Sequence, residues 1–323
     1  MKRYLLLAVL AALAIAAPFA VYPVFLMSAL CFALFASAFN LLLGYAGLLS
    51  FGHAVYFGFG AYLAGYAAKE WGLTPELAIL CGILTGAGLG LVFGGLAIRR
   101  QGIYFAMITL ALAQMMYFVA LQAPFTHGED GIQAIPRGKL FGLIDLSDHL
   151  AMYYVVLAVF VFGLAVIYRA VHSPFGQVLR AISENEARAV SLGYDVDRYK
   201  LLAFVLSAGL AGLAGGTKAL VLQLASLTDV HWHVSGEVVL MTLLGGVGTI
   251  LGPVVGAFLL ITVQTYLAGV GAWVTVIQGA IFVVCVMAFR RGIVGEAAAW
   301  LERRRRQAGK PLTPGSIKAK AIE

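Results

Sequence analysis

The sequence predicts an all-α, polytopic membrane protein: a bundle of eight to ten apolar spans, some of them broken by glycine. Three observations carry this. Of 323 residues, 62% are hydrophobic and only 11% are charged, where a soluble domain is about 25% charged and 45–50% apolar. The apolar stretches are long and uninterrupted, near the roughly 20 residues that a helix needs to cross hydrocarbon, whereas barrel strands would alternate polar and apolar. The remaining charges gather in short loops, in the tail and in one internal segment, 171–200. The net charge of +7 is explained by basic residues that set orientation in a bilayer, without recourse to nucleic acid. Cys31, Cys81 and Cys285 each lie in apolar stretches without metal-ligand spacing, and read as small buried hydrophobes.

Taken in order, Lys2 and Arg3 place the N-terminus in the cytoplasm. The opening resembles a signal peptide, but reads as an uncleaved first span over 4–17, closed by Pro18 and Pro23. A second span covers 24–39. Residues 40–68 carry Gly44, Gly47, Gly52, Gly58 and Gly60. Glycine costs a helix about 1 kcal/mol against alanine, so this block reads as a broken or very closely packed helix. The span 76–98 presents Gly82, Gly86, Gly90 and Gly94 four residues apart. That spacing makes a flat stripe where another helix can approach.

Arg99 and Arg100 return the chain to the cytoplasm, and 101–121 crosses outward with Thr109 and Gln114 as its polar members. Residues 122–148 form the longest polar stretch on the outer side. A span over 150–168 then delivers the charged segment to the cytoplasm. The next span, 201–222, is again rich in glycine. Residues 223–235 read as a polar outer segment, with Glu237 at the start of the following span behind an open Ser235-Gly236. The block 237–267 repeats the glycine-broken style and either crosses twice, breaking at 245–252, or crosses once as a long tilted helix. With a last span at 273–289 and the arginine run 303–306 inside, parity allows eight or ten crossings. The whole is one membrane domain over 1–292, followed by a basic cytoplasmic tail, 293–323.

The segment 171–200 joins two strongly apolar blocks. Its apolar residues recur at helical spacing from Phe175 to Leu192, predicting one short amphipathic helix that ends near Gly193. Such charged loops are ordinarily solvated connections. Glu186-Ala187 followed by Gly193, however, resembles the EAA loop of ABC-importer permeases, with Arg188 where that pattern has a second alanine. The string ENEARAVSLGYDVDRYKLLAFVLSAGLAGLAGG, and more specifically NLLLGYAGLLSFGHAVYFGFGAYLAGYAA at 40–68, resemble the branched-chain amino acid permease family of LivM type. The resemblance runs from about residue 26 to 292.

It implies a bacterial inner-membrane subunit with both termini cytoplasmic, importing branched-chain amino acids or a similar small polar cargo. It implies four partners: two ABC ATPase subunits that bind ATP and Mg, a second homologous permease and an extracytoplasmic substrate-binding protein. It assigns ATPase coupling to Arg180, Glu184, Glu186, Ala187, Arg188 and Gly193. Replacing Glu186 and Gly193 together should then uncouple ATP hydrolysis from uptake. An ion-coupled secondary transporter is the alternative, but it calls for carboxylates within the spans, and Glu237 is nearly alone there.

No phosphate-binding Gly-x-x-x-x-Gly-Lys-Ser/Thr string occurs, and Gly216-Thr217-Lys218 lacks its spacing. No cofactor is therefore expected on this chain. No catalytic or metal-ligand constellation stands out either. The pair of glycine-broken blocks points to a translocation pathway near the bilayer midplane, for which the candidates are Asn40, Gly44, Ser50, His53, Thr109, Gln114, Glu237, Gly245 and Gly246. For His53 a hydrogen bond to a neighbouring helix is the first reading and a cargo contact the second.

Overall fold

A computed structural model describes residues 14–267, apart from Leu143, and scattered positions between 269 and 296. The expected spans at 4–17 and 273–289, the signal-like opening, Cys285 and the arginine-rich tail lie wholly or largely outside the described residues. Five described helical stretches are long and apolar enough to cross a membrane: Pro23–Tyr45, Pro75–Ala97, Ile103–Gln122, His149–Val171 and Val196–Leu222.

Helix α1 (Pro23–Asn40) starts on a proline, whose missing N–H costs nothing in a first turn. It runs into a π-helical turn, Leu41–Tyr45. The chain then leaves helical geometry until α2 (His53–Lys69). The break predicted for 40–68 therefore falls at 46–52, and 53–69 is continuous. Helix α3 (Pro75–Ala97) descends and α4 (Ile103–Gln122) returns. The connection after α4 holds three two-residue strands: β1 (Ile132–Gln133), β2 (Lys139–Leu140) and β3 (Ile144–Asp145). Strands β2 and β3 form an antiparallel pair. Beyond it, hydrogen bonds from the Ser147 backbone and side chain hold the Asp145 carboxyl below the usual carboxylate range.

Helix α5 (His149–Val171) leads to α6 (Pro174–Glu184) and α7 (Glu186–Ser191), and α8 (Val196–Leu222) follows. Strand β4 (Leu224–Ala225) pairs antiparallel with β1, tying the C-terminal end of α8 to the loop after α4. Helices α9 (Trp232–Gly245) and α10 (Gly252–Leu267) complete the described chain. The chain breaks between them at 246–251, which excludes the single long tilted helix as the form of 237–267.

The centre of the bundle is the packing of α2, α3 and α8, and small residues set it. The stripe Gly82, Gly86, Gly90 and Gly94 faces α8. A methyl group placed on Gly82 would sit 2.9 Å from the Gly60 carbonyl oxygen and 3.1 Å from that of Gly212. Backbones approach this closely only where side chains are absent, and dispersion across such contacts replaces the hydrophobic drive that lipid removes.

Two expectations are corrected. The single helix over 175–192 is two helices, because Asn185 is extended (φ −158°, ψ 98°) and its side chain accepts a hydrogen bond from Arg188 N at 3.0 Å, capping α7. Ile182 and Ala189, seven residues apart, keep one apolar phase across the break and bury together, which hid it from periodicity. Glu237 is not at a helix start either. Helix α9 begins five residues earlier, with His231 as N-cap accepting from His233 N at 3.3 Å. Ser235 lies inside it and accepts from Ala54 N at 2.9 Å, so it caps α2 instead.

Candidate functional site

The site is built around the segment 40–53, where both helix breaks and the charged element 171–200 meet. Asn40 ends α1. Its Nδ2 donates to Thr249 O at 2.8 Å and its Oδ1 accepts from Gly248 N at 2.9 Å. One side chain thereby satisfies two backbone groups inside the 246–251 break, the Gly248 amide and the Thr249 carbonyl. Gly44 completes the contact, since a methyl group there would lie 2.6 Å from Gly248 N. Gly246 has φ 121°, a conformation that a side chain would strain, and Gly245 packs directly on Gly252.

The first break is held from the other side. Thr109 on α4 is buried; its hydroxyl donates to Ala106 O at 2.9 Å and accepts from Phe51 N at 3.2 Å. Ser50, also buried, accepts from Gly52 N at 3.2 Å. His53 is fully buried among the rings of Phe39, Tyr56 and Phe204. Its Nε2 lies 2.8 Å from Ser207 Oγ, which itself donates to Ala38 O at 2.6 Å. The hydroxyl proton is thus committed to the carbonyl, and Nε2 is the donor. His53 therefore ties α2 to α8 and α1, as its first reading held. Gln114 is half-buried, further along α4 than Thr109. Glu237, half-buried, accepts from Gln264 Nε2 at 2.9 Å, joining α9 to α10. It stands apart from the Asn40 and Thr109 contacts.

The charged element 171–200 rests on this segment. The Arg180 guanidinium of α6 lies over the Tyr45 ring, 5.0 Å from its centroid, a cation–π contact. The nearest side chain to Gly47 (φ 71°) is that of Ser183, also on α6. Glu186 pairs with the buried Lys200 at 2.6 Å, which fixes α7 to the start of α8. Ile182, Ala189 and Val196 form a small core beneath. Glu184, Ala187 and Arg188 are exposed, and Gly193 (φ 86°) turns the chain toward α8. Beside them Val190, Leu192 and Tyr194 are 58%, 68% and 41% exposed. The spacing had counted Leu192 in the apolar phase of the helix, which its exposure corrects, while Val190 and Tyr194 were left aside, although apolar residues at the end of a charged helix are a signal that could have been used.

A second group was also missed. Lys218 of α8 and Asp229, in the 3₁₀ turn Leu227–Val230, form a buried ion pair. The ammonium also lies over the rings of Phe32 and Phe57, at 5.9 and 5.7 Å. Asp229 accepts in addition from Ser226 Oγ at 3.2 Å. The available signal was a lysine inside an apolar span, which calls for a partner by default.

Long apolar helices, two helix breaks joined through Asn40 and a charged surface element packed on the first of them define a multi-pass membrane protein. A family model for the permease component of branched-chain amino acid transport systems matches residues 21–286. The chain belongs to that family, which is one of transport components and not of enzymes. It is 30% identical over 245 residues to the high-affinity branched-chain amino acid permease protein LivM of Salmonella typhimurium, an alignment covering 69% of this chain and 58% of that protein. It is 24% identical over 217 residues to the probable branched-chain amino acid permease protein LivH of Methanocaldococcus jannaschii, covering 62% of this chain and 65% of the relative. It is 29% identical over 189 residues to the autoinducer 2 import system permease protein LsrC of Klebsiella pneumoniae, covering 57% and 52%. The chain thus spans a little over half the length of LivM. No solved structure matches it.

Proposed function

We propose that this chain is a membrane-spanning permease subunit of an ABC importer for branched-chain amino acids, working in the inner membrane of a bacterium with both termini cytoplasmic. The observation that carries the reading is mechanical: α6 touches the segment 40–53 through Arg180–Tyr45 and Ser183–Gly47, and that segment clamps the second break through Asn40. A push on α6 is therefore delivered to both breaks at once. The partners in this reading are two ATPase subunits holding ATP and Mg, a second homologous permease and an external binding protein. Nucleotide binding favours one arrangement of the ATPases and so one position of α6 and α7, which is the differential contact that coupling requires.

The surface that meets the ATPase is the exposed set Arg188, Val190, Leu192 and Tyr194, not Glu186. Glu186 is occupied with Lys200, so its replacement disturbs the mounting of α7 as well as any contact beyond it. The direct test is Leu192→Asp in the assembled complex, reconstituted in vesicles with the binding protein. Leucine uptake should fall at least tenfold, with normal membrane insertion and continued ATP hydrolysis. Unchanged uptake overturns the assignment of this surface. Purification from the native membrane without ATPases or a second permease would favour the ion-coupled reading.

A further inference from the structure

Non-helical backbone at bilayer depth is stable only where protein buries it or where it lines a water-filled space, because an unpaired amide or carbonyl costs several kcal/mol in hydrocarbon. The first break tests this rule. Phe51 N meets Thr109, the seventh residue of α4, which places it about 9 Å along that helix from its cytoplasmic start at roughly 1.5 Å per residue. Residues 47–50 are in no helix or strand. Between them and α4 lies a cavity of about 440 Å³, lined by Leu48, Leu49, Phe51, Phe105, Ala106 and Leu110 and rimmed by Met107. This volume falls within the roughly 300–1,000 Å³ of small-molecule sites, which are mostly apolar with a few polar groups. The apolar groups here are leucine and phenylalanine side chains, and the polar ones are those of the loop backbone.

Other outward faces differ. That of α3 is built from Leu77, Leu80, Leu84, Leu91 and Leu96, on a continuous helix with no open backbone, and suits lipid. We propose that the cavity between the 46–52 break and the inner half of α4 is a water-accessible cargo chamber. It accepts the aliphatic side chain of an amino acid against Leu48, Leu49 and Leu110 and presents the charged ends to the loop backbone. This rests on the importer reading above and assigns the inner station of its pathway.

The test uses the full complex in inside-out vesicles, with the native cysteines of this chain replaced by alanine. Met107→Cys and Leu84→Cys are compared, the parent side chains being 60% and 62% exposed. The probe is a charged, membrane-impermeant methanethiosulfonate. Met107→Cys should react at least tenfold faster than Leu84→Cys, and leucine should slow it several-fold where glutamate does not. Equal, slow reaction at both positions, in vesicles that still transport leucine, overturns the chamber while leaving the importer reading intact. Equal protection by leucine and glutamate overturns its aliphatic selectivity. Fast labelling in vesicles that transport no leucine overturns the importer reading and the aliphatic cargo with it.

Discussion

The glycine packing of α3 makes a quantitative test with its own control. Gly86 and Gly88 lie two residues apart on the same helix. A methyl group on Gly86 would press into the Ala208 carbonyl oxygen and lie 3.1 Å from the Gly212 Cα, while around Gly88 there is nothing within 4 Å. Carbon atoms prefer separations of about 3.5–4.0 Å, and the obstructing atoms are backbone, so no rotamer change relieves them. Helices α3 and α8 would have to part by roughly half an ångström or more along their length. Overpacking of this kind costs about 1–3 kcal/mol. Both substitutions to alanine also gain about 1 kcal/mol of helix propensity.

Gly88→Ala should therefore stabilise by about 1 kcal/mol. Gly86→Ala should destabilise by up to about 2 kcal/mol net, near the upper end of the overpacking range because the clash is with backbone. At about 2–4 °C per kcal/mol, the midpoints of thermal aggregation in detergent should differ by about 6–12 °C. Fluorescence-detected size exclusion after stepwise heating measures this. Coincident midpoints for the two variants would refute the claim that close backbone approach holds this bundle together.

Two further outcomes follow from the buried polar contacts. Lys218→Met strands the Asp229 carboxylate, at a cost of about 3–5 kcal/mol, and the yield of folded protein should collapse. Adding Asp229→Asn should restore most of that yield, because removing both charges is close to neutral; a double variant no better than the single would show that the lysine acts through something other than the pair. Asn40→Ala removes both hydrogen bonds to the second break, each worth about 1 kcal/mol net and more when a buried partner is left unpaired. Amide exchange over 246–251 should speed up at least tenfold, with the β1–β4 pairing at Ile132–Gln133 unchanged; uniform acceleration at both places would make Asn40 a general stability residue and not a clamp.

Sequence alone determined the membrane class, the five long apolar spans among the described residues and the two glycine-rich breaks. These depend on local quantities: the length of apolar runs, glycine spacing and the position of charge. The four-residue stripe from Gly82 to Gly94 is legible because a helix repeats every 3.6 residues, so its face is fixed before a partner is known. The split of 175–192 was legible in principle, in an asparagine of N-cap type before Glu186-Ala187, but the unbroken apolar phase from Ile182 to Ala189 masked it. What tertiary structure decided is who meets whom. Asn40 lies 208 residues before the Gly248 amide that it accepts from, and His53 lies 154 residues before Ser207. Lys218 finds Asp229 only because the chain turns back after α8. A polar side chain in a bilayer announces that it needs a partner, since the cost of lacking one is large, but which partner it finds is set by helix packing. The residue types and blocks of the candidate site were legible in the sequence. The site's geometry, with one segment touching both breaks and the charged element 171–200, exists only once glycine has let the helices close on one another.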